Sequence, residues 1–221
     1  MERVAVLTSG GLDSAILLAD LAHEAIVFPI YIAMGLVWES SEESALQSFL
    51  TAVNHPHIQA LTRIELPVRP FYGDHWSTTG EGIPNWQAPD QAVDLPGRNI
   101  FLLGLTAVWC RTHRVSKIAI GSLGSNPFPD GTMDFFKNFS QSLSQGLGCP
   151  IEVIAPYSRV HKADIISRYQ HLPLELTLTC MDVQEGVHCG QCNKCNERQQ
   201  AFKNAGVQDK TRYRNYRASH A

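Results

Sequence analysis

Four cysteines near the C-terminus are the side chains whose types and spacing point most directly to chemistry. Cys180, Cys189, Cys192 and Cys195 follow the spacing Cys-x8-Cys-x2-Cys-x2-Cys. Four thiolates spaced in this way suit a tetrahedral zinc ion, and the spacing predicts a closed, structural zinc site. Gly190 gives the Cys-x2-Cys turn the backbone freedom to fold back. An iron–sulfur cluster is the alternative that the spacing leaves open.

A glycine-containing loop near the N-terminus is the second candidate site. It reads Ser9, Gly10, Gly11, Leu12, Asp13 and Ser14, and it lies between a strand-like and a helix-like segment. Adjacent glycines let an anion approach the backbone closely, and the start of the following helix offers unpaired N–H groups. The two serine hydroxyls can add donors. Asp13 would repel a bare phosphate, so we interpret it as a magnesium ligand or a loop-shaping residue.

Two further helix starts carry residues that could complete a phosphate site. Arg98 and Asn99 follow Pro96-Gly97, and a guanidinium at a helix N-terminus is suited to anions. Lys162 follows the fifth strand-like segment, and its ammonium could reach the β- and γ-phosphates. A solvated helix start and an ordinary surface lysine are the alternatives.

The elements that must position these residues alternate between strands and helices. Apolar runs predict strands at 3–8, 25–32, 62–68, 117–121 and 151–155, and helical periodicity predicts helices at 12–24, 40–54, 97–114, 132–147 and 160–170, with a last helix that ends at Gly206. Ser40 and Glu43 fit a capping box. This alternation predicts a five-stranded parallel sheet with helices on both faces, which binds its ligand at the carboxyl ends of its strands.

Segment 69–95 interrupts the alternation. It contains several prolines and glycines together with Trp76 and Trp86, and it is unusually long for a connection inside a compact domain. We interpret it either as a lid that becomes ordered over a bound substrate or as a surface loop packed by its own aromatic residues.

The composition excludes several classes of protein. The chain has 221 residues, of which 44% are hydrophobic and 18% charged, and this excludes a disordered chain. Its net charge of -3 argues against a duplex-DNA-binding protein. No stretch approaches 18 unbroken apolar residues and no signal peptide is apparent, so we expect a cytoplasmic protein without a membrane partner. We expect a nucleotide-binding α/β domain at 1–176 and a zinc-binding segment, helix and tail at 177–221. Cys110 and Cys149 are interpreted as packing residues.

The loop from Ser9 to Ser14 resembles the SGGxDS signature of the PP-loop ATP pyrophosphatases. Together with the helix starts and the terminal cysteines, in the same order along 3–206, it resembles the 7-cyano-7-deazaguanine synthases of the QueC family. The resemblance implies a Rossmann-like, adenine nucleotide alpha hydrolase-like fold, and ATP with Mg²⁺ and Zn²⁺ as cofactors. It also implies that 7-carboxy-7-deazaguanine and ammonia become the nitrile in queuosine-type biosynthesis, in a homodimer. Asp13, Arg98 and Lys162 would then be catalytic.

The sequence departs from the QueC pattern where the family's substrate would bind. Phe128 and Asp130 match the Phe-Pro-Asp part of the family's segment. Phe128 could stack on a 7-deazaguanine ring, and Asp130 could accept two N–H groups from its guanine-type edge. Asp130 could instead be a helix N-cap. Gly131, Thr132 and Met133 replace the family's Cys-Arg-Pro part, and segment 31–39 lacks its Gln-Arg-His pattern. A related substrate therefore remains an alternative.

Two other functions are alternatives to a QueC-like ligase. The first is a thiolation-type PP-loop enzyme that modifies tRNA and holds an iron–sulfur cluster, with the basic and aromatic tail 210–217 available to RNA. A solvated tail and a negative net charge make nucleic acid the less favoured partner. The second is a nucleotide-binding sensor without turnover.

Overall fold

The computed structural model describes residues 1–124 and 126–215. Its centre is a five-stranded sheet in the order β3-β2-β1-β4-β5, and every neighbouring pair is parallel. The strands are β1 (Glu2–Leu7), β2 (Ala25–Ala33), β3 (Thr62–Glu65), β4 (Lys117–Ala119) and β5 (Glu152–Ile154). The predicted Rossmann-like α/β fold is confirmed.

Eight α-helices accompany the sheet in the described part of the chain. They are α1 (Leu12–Leu21), α2 (Glu39–Val53), α3 (Arg69–Tyr72), α4 (Trp76–Thr79), α5 (Arg98–His113), α6 (Met133–Leu147), α7 (Lys162–Arg168) and α8 (Asn193–Ala205). Short 3-10 turns occupy Asp90–Val93, Pro129–Gly131 and Leu174–Leu176. None of these helices is both long and apolar enough to cross a membrane.

The core lies on both faces of the sheet because successive strand residues point to opposite sides. In β1, Ala5 and Leu7 pack into a cluster with residues of α5 and α6, and the four cysteines belong to the same cluster. Val4 and Val6 pack on the other face against α1, α7 and α8. Helices therefore cover both faces, as a parallel sheet requires.

One local prediction and one alternative were wrong. The capping box at Ser40 does not form: α2 begins at Glu39, its N-cap is the buried Trp38, and that residue makes no side-chain cap hydrogen bond. Asp130 is not the N-cap of α6, because the side chain of Thr132 accepts the N–H of Phe135. Segment 69–95, between β3 and α5, contains α3, α4 and a 3-10 turn.

The C-terminal tail is also not simply solvated. Thr211 is buried and accepts a hydrogen bond from Arg198, and the N–H of Arg214 donates to His188 O at 2.8 Å. The tail up to Asn215 therefore packs on the cysteine segment. Tyr216 and Arg217, which were part of the predicted RNA-contacting tail, lie outside the described residues. Gly206 ends α8 with a φ of +65°, as predicted.

Candidate functional site

A large cavity lies at the carboxyl ends of β1, β2 and β4, and its volume is about 820 Å³. This is where an open parallel sheet binds ligands, beside the point at which the strand order reverses. The predicted nucleotide and substrate residues that line it are Ser9, Gly11, Leu12, Asp13, Ser14, Arg98, Asn99, Phe128, Asp130 and Lys162. Gly10 is not among the lining residues. The fold thus brings together residues that are far apart in sequence.

The glycine loop is shaped by its own hydroxyl groups. Ser14 Oγ accepts the N–H of Ser9 at 3.2 Å and donates to Gly11 O at 3.1 Å, while Ser9 Oγ accepts the N–H of Gly11. Gly10 has a φ of +72°, and a Cβ there would lie 2.5 Å from the backbone oxygen of Glu42, so only glycine fits. Gly11 is the N-cap of α1, and because it has no side chain it cannot occupy the first N–H groups of the helix. These N–H groups lie at the cavity, so the N-terminus of this ten-residue helix suits an anion.

A cluster of four charged groups lies beside this loop. Lys162 Nζ is 3.1 Å from Asp13 Oδ2 and also contacts Glu197 Oε1, while Lys194 Nζ is 2.6 Å from Glu197 Oε2. Burial raises the pKa of Asp13 although Lys162 opposes it. Burial also acts to raise the pKa of Glu197, but the Lys162 and Lys194 ammonium groups outweigh it and lower that pKa to about 2. The sequence had not indicated Lys194 or Glu197 as cavity residues.

Arg98 lies close enough to the buried carboxyl group of Glu42 for the two charges to interact. The Tyr31 hydroxyl donates to Glu42 Oε2 at 3.2 Å. Burial raises the pKa of Glu42 to about 7, and the charge of Arg98 opposes that rise. Arg98 Nε is buried and has no hydrogen-bond partner within residues 1–124 and 126–215. A guanidinium with an unused donor at the N-terminus of α5 is suited to binding an anion.

Asp130 is engaged by the start of α5. Its Oδ2 accepts the N–H of Asn99 at 2.9 Å, and its backbone oxygen accepts Asn99 Nδ2 at 3.0 Å. Burial raises the pKa of Asp130, although the Asn99 N–H opposes the shift. Asp130 thus fixes the position of Asn99, and its second carboxylate oxygen has only a long contact of 3.4 Å with Asn99 Nδ2.

The other end of the cavity is lined mainly by aromatic and apolar side chains, together with two aspartates. Trp38 and Trp76 stack with ring centroids 5.7 Å apart and an interplanar angle of 21°. Met34 and Leu36 extend this wall, and segment 69–95 adds Trp76, Asp90, Val93, Asp94 and Leu95. The segment is therefore part of the cavity wall in this structure. Whether it closes further over a ligand stays a prediction.

The four cysteines form one buried cluster, in which all sulfur atoms lie within 4.8 Å of one another. Tetrahedral Zn–S bonds of about 2.3 Å place sulfur atoms just under 4 Å apart, and Cys189 Sγ and Cys195 Sγ are 3.9 Å apart. The N–H groups of Gln191 and Cys192 both donate to Cys189 Sγ, which favours a thiolate. The donor set therefore fits a zinc ion.

His188 is not a fifth ligand of this cluster. Its Nε2 accepts the N–H of Thr179 at 3.1 Å. Burial first and then the nearby Arg198 charge lower the pKa of His188 to about 3, so the ring is neutral.

Helix α8 connects the cysteine cluster to the cavity wall. Its first residue is Asn193, whose Nδ2 donates to Ala88 O at 2.8 Å and to Asp90 Oδ1 at 3.3 Å. Asn193 Oδ1 accepts no hydrogen bond from the described residues. Asn196 Nδ2 donates to Trp86 O at 3.0 Å. One helix therefore holds segment 69–95 on one side and directs Lys194 and Glu197 toward the glycine loop on the other.

Strand order, glycine loop and cysteine cluster together define a Rossmann-like α/β protein of the PP-loop type with a four-cysteine centre. The family model described as "Queuosine biosynthesis protein QueC" matches residues 3–206, and the chain belongs to that family.

Relatives of nearly the same length support this assignment. The "7-cyano-7-deazaguanine synthase" of Methanothermobacter thermautotrophicus is 28% identical over 97% of this chain and 100% of its own. "7-cyano-7-deazaguanine synthase 1" of Sphingopyxis alaskensis is 30% identical over 96% and 98%. Among solved structures, a "predicted subunit of tRNA methyltransferase" from Methanocaldococcus jannaschii has a TM-score of 0.46 at 15% identity, with 80% of this chain and 92% of that chain covered. A similarity of that size bears on neither fold nor function.

Proposed function

We propose that this protein is an ATP-dependent C–N ligase that converts 7-carboxy-7-deazaguanine and ammonia to 7-cyano-7-deazaguanine. The observation that carries the proposal is the two-ended cavity. One end combines the open N-terminus of α1 with the cations Arg98, Lys162 and Lys194. The other end offers the aromatic surface of Trp38 and Trp76. A polyphosphate and a flat heterocycle fit these two ends, and the relatives' names give 7-cyano-7-deazaguanine as their product.

The chemistry needs ATP because a carboxylate is a poor electrophile toward ammonia. Attack of a carboxylate oxygen on the α-phosphorus of ATP releases pyrophosphate and forms an acyl adenylate. Ammonia then displaces AMP and gives the amide. A second adenylation, at the amide oxygen, lets AMP leave again with loss of two protons, which gives the nitrile. Each AMP carries away one substrate oxygen.

The protein's part in this chemistry is positioning and charge stabilisation. The N–H groups of the glycine loop and α1 would bind phosphate oxygens. Arg98, whose Nε–H has no partner among the described residues, and Lys162 would offset the charge that builds up on the α-phosphate and on pyrophosphate. Asp13 has a buried Oδ1 without a hydrogen-bond partner in the described chain, which fits a magnesium ligand. Bound Mg²⁺ would neutralise phosphate charge.

Substrate recognition would involve Phe128 and the tryptophan wall for stacking. Asp130 is a weaker candidate for the guanine-type edge than its sequence motif indicates, because Asn99 already uses one of its carboxylate oxygens. This leaves room for a related 7-deazaguanine as the natural substrate. The zinc ion would hold α8 and thereby the cavity wall.

Cytoplasmic location and a homodimer complete the proposal. The outer face of α5 carries two exposed apolar residues: Ile100 is 47% exposed and Val108, two turns further along the helix, is 53% exposed. A second copy of the chain would cover this face. Val108→Arg should then convert the dimer to a monomer in light scattering, while the exposed Asn138→Ala on α6 should not.

The thiolation alternative has no specific observation in its favour. Incubation with ATP, Mg²⁺, ammonia and 7-carboxy-7-deazaguanine tests the main proposal directly. Mass analysis should find the nitrile and AMP. Good ATP binding without nitrile would overturn the proposal, and iron with a visible absorbance band in place of zinc would favour the alternative.

A further inference from the structure

Lys162 lies between two carboxylates that come from different parts of the chain. Asp13 belongs to the glycine loop and the first turn of α1, whereas Glu197 lies on α8, two residues after the last cysteine. Both carboxylates contact the same ammonium group. The Lys162 side chain is only 14% exposed, and all three residues line the cavity.

Two features of this cluster have no function in the chain without a ligand: an unused carboxylate oxygen on Asp13 and a second cation beside Glu197. Asp13 Oδ1 is buried and has no hydrogen-bond partner in the described residues, so one carboxylate oxygen beside the loop is unused. Glu197 already has a cation of its own in Lys194, 2.6 Å away. A buried oxygen without a partner is costly and usually marks a site for something else.

A nucleotide at the loop would change the balance of charge. A polyphosphate at the N-terminus of α1 lies beside Asp13, and two carboxylates there would repel it unless a cation lies between them. Lys162 cannot both turn to the phosphates and stay between the carboxylates. Mg²⁺ is commonly bound through one or two carboxylates together with phosphate oxygens and waters.

We propose that Asp13 and Glu197 together form a divalent-cation site, which the Lys162 ammonium fills without nucleotide and the Mg²⁺ of the nucleotide complex fills once Lys162 turns to the phosphates. The inference rests on the proposed function, because it needs a nucleotide at the glycine loop. It adds Glu197 to the catalytic machinery. Because Glu197 is on the cysteine-bearing helix, it also places the metal site under the control of α8.

The test measures how strongly Mg²⁺ tightens nucleotide binding. The full chain with its cysteine-bound metal is titrated with α,β-methylene-ATP, which this chemistry cannot cleave, with Mg²⁺ and with Mg²⁺ omitted. The ratio of the two Kd values is the coupling between metal and nucleotide. The variants are Glu197→Gln and Glu197→Asp. The control is Glu24→Gln, which removes the same charge from an exposed residue.

We expect Glu197→Gln to lower the coupling ratio at least tenfold. Without Mg²⁺ it should bind the analogue as tightly as the wild type or more tightly, because Lys162 loses one competing carboxylate. Glu197→Asp should recover part of the ratio, and Glu24→Gln should leave it unchanged. A purely structural glutamate would not produce this opposite response of the two arms.

Two results would overturn the inference. The first is an unchanged coupling ratio in Glu197→Gln; if both Kd values weaken equally, Glu197 has a structural role. The second is a wild-type chain that binds the analogue without any effect of Mg²⁺. If the wild type binds no analogue in either arm, the proposed function fails as well, and the two failures are therefore distinguishable.

Discussion

Removing the amide of Asn193 should release segment 69–95 from α8. Asn193 is buried, and its Nδ2 makes one hydrogen bond to Ala88 O and a longer one to Asp90 Oδ1. A neutral hydrogen bond contributes about 1 kcal/mol, and a bond to a charged group contributes more. Because Asp90 is exposed, we take about 2 kcal/mol for the pair, so Asn193→Ala should favour local opening by about 30-fold.

Hydrogen–deuterium exchange measures this opening at the backbone N–H groups within 84–93, where all residues except Pro84 and Pro89 have one. Exchange there should accelerate about 30-fold in Asn193→Ala and hardly at all in Asn138→Ala, which lies on an exposed position of α6. Asn193→Asp preserves the side-chain shape but removes the donor and places a carboxylate near Asp90. It should therefore not restore protection.

The same variants should separate the two ends of the cavity. Since 84–95 contributes to the apolar end, the KM for 7-carboxy-7-deazaguanine should rise while the affinity for α,β-methylene-ATP changes little. Wild-type exchange in 84–93 for both Asn193 variants would refute the reasoning, because the segment would then be held by other contacts.

Three further predictions concern Glu42, Gly10 and the cysteine centre. Burial raises the pKa of Glu42 from 4.5 to about 7, so between these values the folded chain keeps a proton that the unfolded chain loses. The free energy of unfolding should therefore fall by about 3 kcal/mol as the pH rises through this window. Urea unfolding of Glu42→Gln at pH 5 and pH 8 should lack that fall, and a variant with the pH dependence of the wild type would contradict the prediction. Gly10→Ala should destabilise the chain by more than about 2 kcal/mol, because a positive φ and a backbone collision add, whereas Gly82→Ala, with φ +73° and open space, should lose only about 1 kcal/mol in the same assay. Zinc chelation should release one metal ion and four reactive thiols per chain and should accelerate hydrogen–deuterium exchange in 84–93. If the exchange rate in 84–93 stays that of the untreated protein, the metal does not hold this part of the cavity wall in place.

The sequence predicted the parts of the molecule that depend on local patterns. The five strands follow from short apolar runs, and the loop from Ser9 to Ser14 follows from glycines at a strand–helix junction. The cysteine cluster follows from spacing alone, since four thiols so close together have few other uses.

The parts that sequence reasoning missed depend on long-range contacts. Glu42, Lys194 and Glu197 look like ordinary charges on helix surfaces, and only the packing of α2 and α8 turns them toward the cavity. The attachment of 84–90 to α8 links residues about a hundred positions apart. The failed capping box at Ser40 has the same cause, because burial of Trp38 sets the start of α2.

The transfer of substrate oxygen to AMP tests the central claim most directly. With 7-carboxy-7-deazaguanine labelled with ¹⁸O in both carboxylate oxygens, two activations at the α-phosphorus should yield two AMP molecules per nitrile, each carrying one ¹⁸O. The pyrophosphate should carry none. Nitrile formed with label in pyrophosphate or inorganic phosphate, or with unlabelled AMP, would contradict adenylation in this cavity.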